Sequence, residues 1–117
     1  MKLPLISLIT PTLNQATYLE QTIKSVLGQE YPNLEYIIMD GESSDGSIEV
    51  IKRYESRLAT WISEPDEGQA DAINKGLKLA TGVIFNWLNS DDYLEANALF
   101  KCAEAYRRNP GRAQGCP

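Results

Sequence analysis

The stretch Val83-Ile-Phe-Asn-Trp-Leu-Asn-Ser-Asp-Asp92 sets an apolar run against two adjacent carboxylates. The run reads as a buried strand. It delivers Asn89, Ser90, Asp91 and Asp92 at its C-terminal end, the end at which open α/β sheets bind ligands. Clustered oxygen ligands suit a hard divalent cation such as magnesium or manganese, and such a cation commonly neutralises a phosphate or pyrophosphate. The same residues also suit an acidic turn that caps the next helix, because Asp is a good N-cap. By itself the stretch does not choose between the two.

Working outward, extended and helical patterns alternate along the whole chain. Leu5 to Ile9 reads as a strand, followed by a loop at Thr10-Pro-Thr-Leu-Asn-Gln15. Thr17 with Glu20 three residues on has the form of a capping box. The helix after it places Leu19, Ile23, Val26 and Leu27 on one face and stops at Gly28. Leu34 to Met39 is a second strand, and Asp40-Gly-Glu-Ser-Ser-Asp-Gly46 a polar loop. A helix starting between Asp45 and Ser47 turns Ile48, Ile51 and Leu58 inward. Ala59 to Ile62 is a short strand, and Gln69 to Ala80 a helix with Ala72, Ile73, Leu77 and Ala80 on one side. Val83 to Leu88 is the fourth strand, and a last helix from about Glu95 to Arg108 is stopped by Asn109-Pro110. This β-α repetition predicts a Rossmann-like open α/β sheet, mainly parallel, with helices on both faces; an α+β domain is the alternative. The whole chain, residues 1–117, reads as one domain.

Composition narrows the function. The net charge is -5 and no tract of Lys or Arg stands out, which argues against nucleic acid as a partner. It leaves a nucleotide open as a ligand, since a metal supplies local positive charge. With no histidine, His-based triads and His metal sites are excluded. Cys102 and Cys116 lack metal-ligand spacing, so a reducing, cytoplasmic setting is the default. No apolar run is long enough to span a bilayer, and Met1 to Ile6 leads into a strand rather than forming a signal peptide.

The unusual polar residues gather in three loops that follow strands: Thr10 to Asn14, Asp40 to Asp45, and Asn89 to Asp92. Loops at the other ends, such as Gly28 to Asn33, carry turn residues. Only the C-terminal rim of the sheet is equipped for chemistry. Pro11, Thr12 and Asn14 precede a helix, and their backbone and hydroxyl groups suit a nucleoside, but the loop lacks the glycine spacing of a phosphate cradle. Asp40, at a strand end before Gly41, suits a base or ribose, or an Asx turn. Asp45-Gly46 favours a turn or helix cap. Asp66, between Pro65 and Gly68, stands out in the second acidic region. Asn74, a poor interior helix former, suggests hydrogen-bond support of a neighbouring loop or a ligand contact.

As a set, several segments resemble the N-terminal half of a family 2 glycosyltransferase, a family with the GT-A fold. They are Pro4 to Asn14, Ser25-Val-Leu-Gly-Gln-Glu-Tyr-Pro-Asn-Leu-Glu35, Ile38 to Gly46, Asp66-Glu-Gly68, Ala72-Ile-Asn-Lys-Gly76 and Trp87 to Asp92. The resemblance runs from about Leu3 to Asp92, and Asn109 to Pro117 stands apart as an atypical tail. It implies sugar transfer from a nucleotide-diphosphate-sugar donor to an acceptor hydroxyl, inverting and dependent on Mn2+ or Mg2+. It places Pro11 and Thr12 at the nucleoside, Asp40 at the base, and Asp66 in a loop that closes over the nucleoside. Asn89-Ser90-Asp91 takes the position of the family's Asp-x-Asp motif, with Asp91 as metal ligand and Asp92 as the further acidic residue. Asn89 departs from the pattern because it brings no charge. In the fold so implied the first and fourth strands are neighbours.

The resemblance also implies a carbohydrate or lipid-linked acceptor and a cytoplasmic location compatible with peripheral attachment at the inner face of a membrane. Relatives continue past this length, and their second half supplies the acceptor site and the catalytic base, so no residue here is expected to be that base. The alternative is a non-catalytic nucleotide-sugar-binding fragment; a doubly wound phosphoryl-transfer domain is a third and weaker reading. An open edge on the fourth strand is expected to favour pairing with a second copy.

Overall fold

A computed structural model describes residues 3–108, so the tail expected at 109–117 and Cys116 lie outside the described residues. The elements run β1 (Ile6–Thr12), α1 (Ala16–Leu27), β2 (Leu34–Asp40), α2 (Ser47–Tyr54), a 3-10 turn (Glu55–Arg57), β3 (Thr60–Ser63), α3 (Gln69–Leu79), β4 (Ile84–Trp87) and α4 (Ala98–Arg108). The sheet has the order β3-β2-β1-β4, and every pairing in it is parallel. The chain winds from β1 outward to β3 and then returns to place β4 against the other side of β1. The direction of winding reverses between β1 and β4, and a crevice opens there at the C-terminal ends of the strands.

Helices cover both faces. Leu8, Tyr36 and Ile38 pack against Leu19, Ile23 and Val26 of α1 and Val50 and Ile51 of α2. On the same face Ile6 and Ile84 pack with Leu99, Cys102 and Ala103 of α4. On the opposite face α3 lies over Ile9, Ile37 and Met39 through Ala72. Gly76 permits that close approach, because a Cβ there would stand 2.7 Å from the Ile9 side chain. Burial of these aliphatic groups, at about 25 cal/mol per Å² of apolar surface, is the main force holding the layers together.

Three expectations need correction. The first strand does not end at Ile9: it continues through Thr10, Pro11 and Thr12, which pair with Ile38, Met39 and Asp40. Ile9 O accepts the Leu88 amide and Thr12 O accepts the Gly41 amide, so Pro11 turns its missing donor toward the β4 side. The β4 pairing has already ended there, at Ile9 with Trp87, and a proline is tolerated where no ladder bond is required of it. The capping box is also absent. The first turn of α1 has no side-chain cap of its own; instead Asp45, from the loop after β2, accepts the Ala16 amide at 3.0 Å. Glu20 reaches the Tyr54 hydroxyl at 2.6 Å.

The fourth strand is not buried on both faces. Ile84 is fully buried, but Phe85 and Trp87 are 37% and 49% exposed, since α3 covers β1 and β2 and stops short of this edge. Among the described residues no helix is long and apolar enough to cross a membrane.

Candidate functional site

At the crevice between β1 and β4 lies a cleft of about 270 Å³. Pro11 and Thr12 form its floor from the end of β1, Asp66 enters from the loop after β3, and Asn89, Ser90 and Asp91 come from the end of β4. Sequence-distant residues singled out at three strand ends are thereby brought together.

Thr12 is the informative residue. It is 5% exposed, and its Oγ1 has no hydrogen-bond partner within the protein. An unsatisfied buried hydroxyl costs about 1–3 kcal/mol, and buried polar side chains are nearly always paired. Thr12 lines the cleft, so its hydroxyl is available to something that enters there.

Asp66 is held in place. Its Oδ1 accepts the Gly68 amide at 3.0 Å, and its Oδ2 lies where a Cβ on Gly41 would be 2.9 Å away. A side chain at Gly41 would displace the carboxylate, so this glycine is required for a close approach. Lys75 steadies the same loop by donating to Pro65 O at 3.2 Å and pairing with Glu64 and Asp71 at 3.4 and 3.3 Å. Desolvation lowers the Lys75 pKa, but the bonds that its ammonium donates to Asp71 and Glu64 outweigh it and raise the value. The Glu67 amide holds Asp71 below the usual carboxylate range. The Asn74 side chain is exposed and makes no hydrogen bond among the described residues; Lys75 supplies the loop support expected of it.

The two adjacent aspartates separate. Asp92 N closes a turn onto Asn89 O at 3.1 Å, which leaves Asp91 at the tip, exposed and facing the cleft. No hydrogen bond or ion pair occupies the Asp91 carboxylate among the described residues. Asp92 turns the other way: its Oδ1 accepts the Tyr93 amide at 3.0 Å, and it lines a neighbouring hollow with Leu94 and Lys101. Adjacent residues in a tight turn point in different directions, so adjacency in sequence did not produce a two-carboxylate ligand set. No group of three acidic, cysteine or histidine side chains converges among the described residues.

Asp40 and Asn14 lie outside the cleft wall and organise it. Asp40 is 2% exposed and accepts the Ser43 amide and hydroxyl at 2.9 and 2.6 Å and the Ser63 hydroxyl at 2.8 Å. Three of its four or so lone-pair sites are thereby taken. Asn14, at φ 52°, donates its amide to Ser43 Oγ and accepts the Ser44 amide, tying the loop after β1 to the loop after β2. Asp45 behaves as the cap expected of it. The Ser47 hydroxyl, followed by the Ala16 amide, holds its carboxyl below the ordinary range.

Of the cleft residues that the sequence reading did not assign to the site, Gln69 makes a bond to the motif. Gln69 lines the cleft and donates to Asn89 Oδ1 at 2.5 Å, fixing the amide that stands in the otherwise acidic motif. Its signal was Gly68, whose φ of +113° demands glycine and aims the first residue of α3 at the β4 turn.

A family model for glycosyl transferase family 2 matches residues 7–115. The chain belongs to that family. An uncharacterized glycosyltransferase of Haemophilus influenzae is 39% identical over 104 residues, which are 86% of this chain and 42% of that protein. The putative teichuronic acid biosynthesis glycosyltransferase TuaG of Bacillus subtilis is likewise 39% identical over 86% of this chain and 41% of its own. Among solved structures, the mannosyltransferase PcManGT of Pyrobaculum calidifontis, in complex with GDP-Man and Mn2+, superposes with a TM-score of 0.81 at 28% identity. The match covers 91% of this chain and 33% of that one. TarS of S. aureus in complex with UDP-GlcNAc superposes at 0.84 with 24% identity, a likeness of fold. The chain therefore spans about two fifths of these curated relatives and a third of these structures. The expected α/β architecture, a partial GT-A fold, is the one observed.

Proposed function

We propose that the chain forms the donor-binding part of a glycosyltransferase. It would serve metal-dependent transfer of a sugar from a nucleotide-diphosphate-sugar to the hydroxyl of a carbohydrate or lipid-linked acceptor, with inversion. The observation that carries this reading is the orphaned Thr12 hydroxyl in a cleft shared with Asp66 and Asp91. Pro11 and Thr12 meet the nucleoside, and Asp66 closes on it from its braced loop. Asn89 and Ser90 line the path to the pyrophosphate. Asp40 and Asn14 act by shaping the wall, because their side-chain oxygens already accept hydrogen bonds from Ser43, Ser63 and Ser44.

A divalent cation fits the donor set present. Asp91 offers one unengaged carboxylate, Asp66 offers a second that already accepts the Gly68 amide through one oxygen, and the rest of the cleft offers neutral oxygens. Magnesium-type sites use one or two carboxylates together with substrate phosphates and water rather than a complete protein cage. Asp91 would hold the ion, which when bound supplies charge neutralisation for the departing diphosphate. Asp92 lines the neighbouring hollow rather than the cleft, so the assignment rests on Asp91. PcManGT was solved with Mn2+ and GDP-Man, which supports the same pairing of metal and nucleotide sugar here. The transfer itself requires an acceptor hydroxyl deprotonated by a carboxylate; that base is assigned to no residue of this chain.

Calorimetric titration of UDP and GDP, with and without Mn2+, tests the reading. Folded protein should bind at least one of them more tightly with metal, and Asp91→Ala should abolish the metal-dependent part. Failure to bind either nucleotide in the presence of Mn2+ overturns it. The second reading is donor binding without transfer. Donor hydrolysis or transfer by the 117-residue chain would remove that reading.

A further inference from the structure

The nine residues from Asn89 to Asn97 lie in no helix or strand, yet they carry Asp91. Something must hold them. Thr22 and Ser25 of α1, with Gln29 in the turn just past its end, do so at three- and four-residue spacing.

Thr22 is fully buried in mid-helix. Its Oγ1 stands 2.9 Å from Ser90 O and in hydrogen-bond contact with Asp92 O. These are the carbonyls on either side of Asp91. A helical Thr ordinarily bonds back to its own preceding turn, but here the Tyr18 carbonyl is the most distant of the three acceptors, at 3.4 Å. A hydroxyl has one proton, so Thr22 shares it between the two flanks of the Asp91 turn. Ser25 Oγ accepts the Leu94 amide at 2.9 Å. Gln29 donates to Glu95 O at 2.8 Å and accepts the Leu99 amide at 3.2 Å. Ser25 and Gln29 belong to the Ser25 to Glu35 segment, to which no role in the site has so far been given.

We propose that Thr22 is a positioning residue for Asp91, and that Ser25 and Gln29 continue its brace to the start of α4. The brace fixes the underside of the turn, so the Asp91 side chain is presented to the cleft in one orientation. Its consequence for ligand binding rests on the donor-site reading above. Supporting groups behind a metal ligand typically contribute about 10- to 100-fold in affinity.

Two measurements on Thr22→Val and Thr22→Ser in the full chain test the inference. Hydrogen–deuterium exchange reads the turn without any ligand. Thr22→Val should lose protection over residues 90 to 94, and Thr22→Ser, which keeps the hydroxyl, should retain it. Nucleoside diphosphate titration reads the consequence. Thr22→Val should lower the Mn2+-dependent gain in affinity about tenfold while leaving metal-free affinity in place, and Thr22→Ser should restore the gain. A general loss of structure would instead lower both affinities together.

Unchanged exchange in folded Thr22→Val overturns the brace, whatever binds. If wild-type protein shows no metal-dependent binding, the donor-site reading falls while exchange still decides the brace. Should Thr22→Val not fold, Ser25→Ala tests the next rung: exchange at Leu94 should rise, and an unchanged rate there counts against the brace.

Discussion

Asp40, the last residue of β2, and Asp91, in the turn that follows β4, stand at the same rim of one sheet and do opposite work. Asp40 is buried under three hydrogen bonds from Ser43 and Ser63, whereas Asp91 is exposed at a turn with its carboxylate unengaged. β2 is an interior strand whose end is roofed by its own following loop. β4 is an edge strand whose following loop is held from beneath by α1. An aspartate at a strand end is therefore a scaffold where its own loop folds over it, and a candidate ligand where the loop is held from behind.

The largest effect should come from breaking the scaffold. Asp40→Ala strands two hydroxyls and an amide, each unmade bond to a charged group being worth about 1.5–3 kcal/mol. A loss of about 3 kcal/mol or more is expected in urea denaturation. Asp91→Ala, at an exposed position, should change stability by less than about 0.5 kcal/mol while removing metal-dependent nucleotide binding. Equal stability losses in the two variants would erase the contrast.

A smaller effect of opposite sign sharpens it. Thr12→Val removes the orphaned hydroxyl, so it should raise stability by about 1 kcal/mol and weaken nucleotide binding. A stability loss would mean that the hydroxyl has a partner in the protein.

The smallest effect belongs to the opposite rim, where no ligand chemistry is expected. Burial pushes the Glu35 pKa up from its ordinary 4.5, but bonds donated by the Ser7 hydroxyl and by the Thr81 amide and hydroxyl outweigh burial and lower it. A depressed folded-state value means stabilisation that is present above the unfolded value and lost as the pH falls through the folded one. Between about pH 6 and about pH 3.5, wild type should lose more stability than Glu35→Gln, with nucleotide affinity at neutral pH the same in both. A shared pH slope would show that Glu35 contributes nothing to acid sensitivity.

Much of this was legible in the residues. The β-α alternation follows from local hydrophobic period and turn residues, and every expected strand and helix is present within a few residues of its expected bounds. Of the three loops, those after β1 and β4 meet at the cleft through Pro11, Thr12, Asn89, Ser90 and Asp91; Asp66 joins them from the loop after β3, and the Asp40 to Asp45 loop lines no part of it. The extension of β1 through Pro11 was not legible, because it depends on which neighbour the missing donor faces. Nor was the cap on α1, since Asp45 is supplied from 29 positions away.

The sequence by itself determined the order of elements and the rim that carries the polar residues, because these rest on short-range patterns of burial and turn formation; the family rests instead on its motifs taken together. Only the tertiary structure decided which aspartate is available. Burial of Asp40, the divergence of Asp91 from Asp92, and the reach of Thr22 across 68 residues to Ser90 depend on how distant segments meet. Hydrogen bonds between such segments leave no periodic trace in the chain.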